Sequence, residues 1–172
     1  ASQFGDNTKW GYFPSVAVAW NLSSEEFMQS ISSIDLAKLR VSYGSTGNQA
    51  IQPYQTRGLL SRSVYNFGDN AVFGYGPSTI GNPNLQWETS RTLNLGLDFS
   101  MFRGRFTGSI EYYDVTTSDL LLRRNLPPSI GFTEVTTNVG ATRNNGIEGT
   151  FSTVNIDNRR GFKWSTDFQF FI

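Results

Sequence analysis

Strict alternation of apolar and polar side chains is the feature that most constrains this chain. In residues 93–101 every odd-numbered residue is apolar, and every even-numbered residue is polar or glycine. Side chains on a β-strand point to opposite faces in turn, so this segment would have one apolar face and one polar face. The alternation therefore predicts a β-strand that separates two different environments.

A second alternating segment follows at once and predicts a hairpin. Residues 106–114 alternate beyond a turn signal. Either a two-residue turn at Arg103-Gly104 or a four-residue loop over residues 102–105 would pair residues whose numbers add up to 207. This register puts the apolar residues of both strands on one face, as a stable hairpin requires. The residues expected on the apolar face are Leu93, Leu95, Leu97, Phe99, Met101, Phe106, Ile110 and Tyr112. Those expected on the polar face are Asp98, Ser109 and Glu111.

Four further segments bring the expected number of strands to six, and the connections between them differ in length. These segments are residues 13–20, 39–43, 147–153 and 162–170, each expected to extend a few residues further. Residues 21–35, 45–86 and 115–137 form long connections, whereas residues 102–105 and 157–161 form short turns. Residues 23–26 have the spacing of a capping box, which predicts a short helix with Phe27, Ile31 and Ile34 on one face.

Long loops on one side of a sheet and short turns on the other are typical of bacterial outer-membrane β-barrels. The length of the connection over residues 45–86 is unusual for a compact soluble domain. Alternating strands also build soluble sandwiches, in which the apolar face is a protein core. The pattern alone therefore leaves two interpretations open: an all-β, antiparallel transmembrane barrel segment, or a soluble or surface-attached β-sandwich that binds carbohydrate.

Composition excludes several classes of function. Aromatic residues make up 15% of the chain and charged residues only 16%, whereas an average protein has about 25% charged residues. A net charge of zero gives no electrostatic basis for binding nucleic acid. The chain has no His and no Cys, so it lacks the usual ligands of zinc, haem and iron–sulfur clusters, and also a Ser–His dyad. We therefore expect no metal, no cofactor and no enzymatic activity.

Three motifs resemble catalytic or phosphate-binding sites, but each is better explained by a structural role. Asp98 and Glu111 are close enough in the predicted hairpin for a glycosidase pair, but polar residues on the wet face of a barrel are simply solvated. Residues 44–48 lack the Lys and the following helix of a P-loop, and they predict a turn. Residues 81–84, Gly-Asn-Pro-Asn, likewise predict a turn before the third strand.

Ligand binding is the more plausible chemistry for the longest connection. Sugars pack their C–H groups on aromatic rings and need amides or carboxylates for their hydroxyls. The candidate substrate contacts are Tyr54, Tyr65, Phe67, Phe73 and Tyr75, beside Asn66, Asp69 and Asn70. Packing of these rings within the loop or against a partner protein is the competing explanation. Trp20, Tyr43 and Trp164 are instead expected in the aromatic girdle or on the lipid face of a barrel.

The order of several segments resembles the SusC/RagA-like family of TonB-dependent outer-membrane transporters. The segments that carry the resemblance are residues 4–15, 39–48, 81–89 (Gly-Asn-Pro-Asn-Leu-Gln-Trp-Glu-Thr), 94–99, 117–121 and 145–148, with Ala19-Trp20, Gly104-Arg105 and Tyr112-Tyr113. Each segment is weak alone, but together and in this order they cover nearly the whole chain.

The resemblance implies a fold, a location and a set of partners. Members of this family are barrels of about 22 strands, with an N-terminal plug and a TonB-contacting segment. They import glycan fragments or peptides with energy from TonB–ExbB–ExbD, and a SusD-like surface lipoprotein acts as a lid. Residues 1–172 would then be part of the barrel domain in the outer membrane of a Gram-negative, Bacteroidota-type bacterium, with no plug and no TonB box in this chain. The apolar face would contact lipid, and the polar face would line the lumen.

Overall fold

The computed structural model describes residues 3–5, 8–158 and 161–172, and most of these residues lie in β-strands. No helix among them is long and apolar enough to cross a membrane. The strands are β1 Ser15–Asn21, β2 Ile34–Asn48, β3 Leu59–Phe67, β4 Asn70–Thr79, β5 Glu88–Met101, β6 Phe106–Ser118, β7 Leu121–Asn125, β8 Glu134–Asn138, β9 Ala141–Asp157 and β10 Lys163–Phe171. The single α-helix in this part of the chain is α1, Glu26–Gln29.

Six of the strands form one sheet in the order β1-β2-β5-β6-β9-β10. These are the six strands that the alternation predicts, and most of them extend beyond the predicted segments. The fold class is therefore confirmed. In the β1–β2 pair, Val18 lies opposite Val41 and Trp20 lies opposite Leu39, so apolar residues face apolar residues across the pair. The neighbouring pair of Ala19 and Arg40 lies on the other face.

The other edge of the sheet repeats this division between the two faces. In the β9–β10 pair, Phe151 lies opposite Phe168, whereas the next pair, Ser152 and Asp167, shares a hydrogen bond of 2.6 Å on the opposite face. The register shifts between Trp164 and Ser165. Residues 159 and 160 of the predicted turn, and residues 6 and 7 of the segment resembling the family, lie outside the described residues.

The central hairpin has the predicted turn and agrees with the predicted register. Strand β5 ends at Met101 and β6 begins at Phe106. The hydroxyls of Ser90 and Thr117 lie 2.8 Å apart, and the numbers of these two residues add up to 207. Across the turn, Phe102, Arg103 and Gly104 have φ angles of 57°, 59° and 74°, which lie in the left-handed region.

This turn is fixed by the chain segment that enters β2. The backbone N–H of Phe102 donates to the carbonyl of Ser33 at 2.9 Å, and the N–H of Gly104 donates to Asp35 Oδ2 at 2.9 Å. Left-handed backbone is unfavourable for residues other than glycine, by about 1–2 kcal/mol each. The two bonds from outside the hairpin therefore help to hold Phe102 and Arg103 in this conformation.

Two additional hairpins occupy regions that the sequence analysis treated as loops. Strands β3 and β4 form one two-stranded sheet, and β7 and β8 form another. Most residues of β3, β4 and β7 are exposed on both faces. Because neither face needs to be apolar throughout, these strands do not show the alternation by which the others were recognised.

The short helix predicted in the first connection is present as α1, but its predicted N-cap and apolar face are wrong. The residue before α1 is Glu25, with no capping bond from its side chain, while Ser23 Oγ donates to Asn21 Oδ1. The helix has only four residues, and Ile34 begins β2 instead of lying on a helix face. Residues 44–48 were predicted to form a turn but continue β2 instead. Glycine permits a close approach in this strand, because a Cβ on Gly47 would collide with the Phe13 ring. By contrast, the turn at residues 81–84 is confirmed, with the Asn84 N–H donating to Asn82 Oδ1 at 3.1 Å.

The chain divides into two compact units. The loop unit consists of residues 1–13, 46–90 and 117–142, and the sheet unit consists of residues 14–45, 91–116 and 143–172. The loop unit has a small core of Phe4, Ile51 and Leu85, against which Trp87 and Leu121 pack. In the sheet unit most apolar side chains remain partly or largely exposed, Val18 at 63% and Phe168 at 60% for example.

Candidate functional site

A charged cluster on three adjacent strands is the most organised polar feature of the sheet unit. Arg40 of β2 donates from Nε to Asp98 Oδ2 and from Nη2 to Asp98 Oδ1, both at 2.8 Å. The same guanidinium donates to Glu111 of β6. The three side chains are 34%, 28% and 33% exposed, so solvent screens the attraction between them. Arg40 therefore ties β2, β5 and β6 together with a modest energetic contribution.

Glycine makes room for this cluster. A Cβ on Gly96 would come within 3.0 Å of the Arg40 guanidinium, so a side chain at this position would displace it. Asp98 and Glu111, predicted to share a polar face, are thus brought together by a residue that the sequence analysis did not select. The sequence does place Arg40 at an even-numbered, polar position of an alternating strand. However, 39 residues separate β2 from β5, so the sequence does not show which residues of the two strands lie opposite each other.

The ion-pair cluster accounts for both carboxylates without catalysis. The Arg40 guanidinium donates hydrogen bonds to both Asp98 and Glu111, so both carboxylates have a structural partner. Ser109, the third residue predicted on this face, contacts Thr150 of β9, with 2.9 Å between the hydroxyl oxygens. Among the described residues, no group of three or more acidic, His or Cys residues could hold a metal ion.

Aromatic rings pack side by side on the other face of the sheet unit. Ring centroids are 5.5 Å apart for Phe99 and Phe106, 5.9 Å for Phe99 and Phe151, and 5.8 Å for Phe151 and Phe170. Leu95 and Ile110, predicted on the same face, are 39% and 38% exposed. The contact of this face with lipid, and of the Asp98 face with a lumen, stays a prediction.

Four of the five candidate substrate contacts lie on the β3–β4 hairpin but do not converge. Tyr65 pairs with Val72 and Phe67 pairs with Asn70, whereas Phe73 and Tyr75 pair with Val64 and Arg62. Directly opposed residues share a face and consecutive pairs alternate between faces, so Tyr65 and Phe67 lie on one side and Phe73 and Tyr75 on the other. A single ligand cannot contact all four rings on this hairpin.

Local packing already engages two of these rings. The guanidinium of Arg62 lies 3.3 Å from the centroid of the Phe73 ring, in a cation–π contact. On the other face, the Tyr65 ring covers Gly74, where a Cβ would collide with it. These contacts support the explanation that Phe73 and Tyr65 stabilise the hairpin.

Tyr54, the fifth candidate, lies apart from the hairpin in a turn of the loop unit. It lines an open cleft with a volume of about 460 Å³ together with Arg57, Phe4, Pro53 and Pro83. This cleft was not predictable from the sequence, because its walls come from three separated segments of the chain. Of the five candidates, Tyr54 is the one that lines a described cavity with a neighbouring charged residue.

Comparison with known proteins assigns the chain to a family. Residues 1–171 match the family described as TonB dependent receptor-like, beta-barrel. The chain is 41% identical to TonB-dependent receptor P3 of Formosa agariphila, over 99% of this chain and 17% of that protein. It is 35% identical to TonB-dependent receptor SusC of Bacteroides thetaiotaomicron, over 86% of this chain and 15% of that protein.

A solved structure, that of the RagAB peptide transporter, has the same fold, with a TM-score of 0.80 and 30% identity. The match covers 91% of this chain and 17% of that chain, so the protein described here spans about a sixth of the length of its relatives. These matches and the six-stranded sheet decide against the β-sandwich interpretation. The resemblance to SusC and RagA is confirmed, and the chain belongs to the TonB-dependent receptor-like β-barrel family.

Proposed function

We propose that this chain forms part of the barrel wall and the extracellular loops of a TonB-dependent importer in the bacterial outer membrane. The observation that carries this proposal is the six-stranded sheet with one apolar and one polar face, in a chain of this family. In a barrel wall the apolar face contacts lipid and the polar face contacts the lumen. Leu93, Leu95, Leu97, Phe99, Met101, Phe106, Ile110 and Tyr112 are assigned to lipid, and Asp98, Ser109 and Glu111 to the lumen.

The partners of this importer follow from the same assignment. We assign residues 1–172 to the barrel domain and expect the plug and the TonB-contacting segment in other parts of the full-length protein. TonB, ExbB and ExbD would then supply energy through those parts, and a SusD-like lipoprotein would cover the extracellular side. The organisms of the relatives support a Bacteroidota-type host. The role is transport, with no reaction catalysed by these residues.

The substrate is proposed to be an oligosaccharide or a peptide. A solved relative is a peptide transporter, which supports the second class. Deletion of the full-length gene should abolish uptake by the cells of either labelled oligosaccharides or labelled peptides. Complementation with the intact gene should restore that uptake. Normal uptake of both classes after deletion would contradict the import function.

Lipid accessibility tests the wall assignment directly. The chain has no Cys, so a single cysteine introduced at Leu95 or at Asn94 is the one label site within it. In the full-length protein in bilayers, a fluorophore on Leu95→Cys should be quenched by lipid-borne quenchers, and one on Asn94→Cys by aqueous quenchers. The two adjacent positions point to opposite faces, so each is a matched control for the other. Protection of position 95 from both quenchers would indicate a protein core and refute the wall assignment.

A further inference from the structure

We propose that the cleft lined by Tyr54 and Arg57 binds the carboxylate of an acidic oligosaccharide. This inference rests on the import function proposed above and names the class of substrate. The cleft is defined by Phe4, Pro53, Tyr54, Thr56, Arg57 and Pro83, all of which belong to the loop unit. It is called the Arg57 cleft below.

The Arg57 cleft is built on the core of the loop unit. Phe4, which forms one wall, is only 6% exposed and belongs to the core cluster with Ile51 and Leu85. Its ring meets that of Trp87 edge to face, at a centroid distance of 5.3 Å. A ligand in this cleft therefore contacts a surface that is already packed, and little ordering is required on binding.

The turn that carries Tyr54 and Arg57 is fixed by hydrogen bonds. The Arg57 N–H donates to the Tyr54 carbonyl at 2.9 Å, and the Gln52 N–H donates to Gln55 Oε1 at 3.1 Å. The Asn82 N–H donates to the carbonyl of Gln55 at 3.2 Å, which joins the turn to the Pro83 wall. The backbone that carries Tyr54 and Arg57 is thus held at a defined position beside the cleft.

Tyr54 adopts an uncommon backbone conformation to reach this position. Its φ angle is 66°, in the left-handed region where a bulky residue is rare. Such conformations persist where the surrounding structure imposes them, and they cluster at ligand sites. The side chain nevertheless remains 67% exposed, so packing of the ring does not explain the conformation. The hydrogen-bonded turn imposes it and leaves the ring exposed at the Arg57 cleft.

Arg57 supplies the charge. Among the described residues, the four ion pairs involve Arg40, Arg123 and Arg143, and no carboxylate pairs with Arg57. A guanidinium that pairs with no described carboxylate, and that lines the same concave site as an aromatic ring, is suited to bind a carboxylate through two parallel hydrogen bonds. The ligand therefore carries an anionic group next to an apolar face.

A uronate fits these groups better than a peptide does. The faces of Tyr54, Pro53 and Pro83 suit the C–H side of a pyranose ring, and the hydroxyl of Thr56 suits its hydroxyl groups. A peptide usually gains affinity by pairing its backbone with an exposed strand edge. Residues 52–57 form turns, not a strand, so the Arg57 cleft offers no such edge.

The test compares two trimers that differ only in charge. Binding of trigalacturonate and of its methyl-esterified form to the purified full-length protein is measured by calorimetry. Arg57→Gln should weaken the binding of trigalacturonate at least about tenfold, the loss expected for charge-assisted hydrogen bonds, and leave the esterified trimer unaffected. Tyr54→Asn, which tolerates the left-handed conformation, should weaken the binding of both trimers because the ring contacts either one.

Arg124→Gln is the matched control. Arg124 is exposed on β7 of the same unit and does not line the Arg57 cleft, so its substitution should leave both affinities unchanged. Equal affinity of the two trimers for the unsubstituted protein, or no effect of Arg57→Gln, would overturn the proposal. Binding of an acidic tripeptide that Arg57→Gln abolishes, without binding of trigalacturonate, would assign the cleft to peptides instead.

The failure of this inference can be distinguished from the failure of the import function. If position 95 is quenched from lipid but trigalacturonate does not bind, the wall assignment stands and the Arg57 cleft has no uronate specificity. If position 95 is protected from lipid while trigalacturonate binds in an Arg57-dependent way, the cleft is a binding site of a protein that is not an importer.

Discussion

The loop unit and the sheet unit are stabilised in different ways. Backbone ladders between neighbouring strands hold the sheet unit, and its apolar side chains stay largely exposed. The loop unit contains two hairpins with ladders of their own, but its irregular segments are joined by single bonds between distant residues. Asn138 Nδ2 donates to the carbonyls of Gln86 and Asp119, both at 2.8 Å, and Asn82 Nδ2 donates to the carbonyl of Thr136 at 3.0 Å.

The difference shows where the structure of this chain depends on particular side chains. A strand in a sheet needs only a neighbour in register, and many sequences that alternate satisfy this requirement. An irregular segment must satisfy its backbone groups one at a time, so one particular amide side chain is needed at one position. Substitutions should therefore have local, large effects in the loop unit and distributed, small effects in the sheet unit.

The largest effect is expected for the core of the loop unit. Leu85 is fully buried, and Leu85→Ala should lower the opening free energy of this unit by about 2–5 kcal/mol, through lost burial and a cavity. Hydrogen exchange of the full-length protein should show faster exchange in the loop unit and unchanged protection in β5 and β9. Leu60→Ala, at a residue 67% exposed, is the control and should have little effect. Equal loosening of both units would show that they do not behave as separate units.

An intermediate effect is expected for the amide that joins three segments of the loop unit. Asn138→Ala removes two donated bonds, and also the bond that Asn138 Oδ1 accepts from the Gln86 N–H at 2.9 Å. Loss of these bonds should cost about 1–2 kcal/mol of local stability, because the Asp119 carbonyl left behind is partly buried, whereas the Gln86 groups are exposed to water. Hydrogen exchange at residues 86 and 119 is the measurement. Asn125→Ala, on the exposed end of β7, should be silent, and an equal response from Asn125 would argue against a specific role of Asn138.

The smallest of the three effects is expected for the charged cluster of the sheet unit. Arg40→Met should destabilise the wall by only about 1 kcal/mol, because all three side chains are partly solvated. The thermal unfolding midpoint of the full-length protein should fall slightly, and less at high salt. Adding Asp98→Asn and Glu111→Gln should restore part of the loss, since two carboxylates would no longer be left facing each other. A large, salt-independent loss in Arg40→Met alone would instead indicate a buried network.

The sheet was predictable because alternation is a local property of the sequence. Residues 93–101 and 106–114 carry their register within themselves, and the contact between Ser90 and Thr117 agrees with it. The β3–β4 hairpin was not predicted, because aromatic residues occur on both of its exposed faces and leave no period of two. Short-range turn chemistry succeeded at Asn82 and failed at Ser23, where the competing bonds to Asn21 replaced the expected cap.

The binding features were less predictable, because they depend on contacts between distant parts of the chain. Tyr54 was selected from the sequence, but nothing local shows that Phe4 and Pro83 complete a cleft around it. The candidate rings of β3 and β4 were selected together, although pairing puts them on opposite faces. Arg40 was overlooked for a similar reason, since its two carboxylate partners lie 58 and 71 residues away along the chain.

The turn between β5 and β6 implies an order of assembly. The hairpin is local in sequence, yet its turn, which contains the left-handed residues Phe102 and Arg103, donates two hydrogen bonds to residues outside the hairpin, Ser33 and Asp35. A hairpin formed before β2 arrives lacks those bonds and retains the strain of the turn. We therefore expect β5 and β6 to pair early along their length but to close their turn late, after β2 has docked. The turn, although it joins residues that are neighbours in sequence, would then be the last part of the hairpin to become rigid. Its closure would indicate that β2, β5 and β6 have joined.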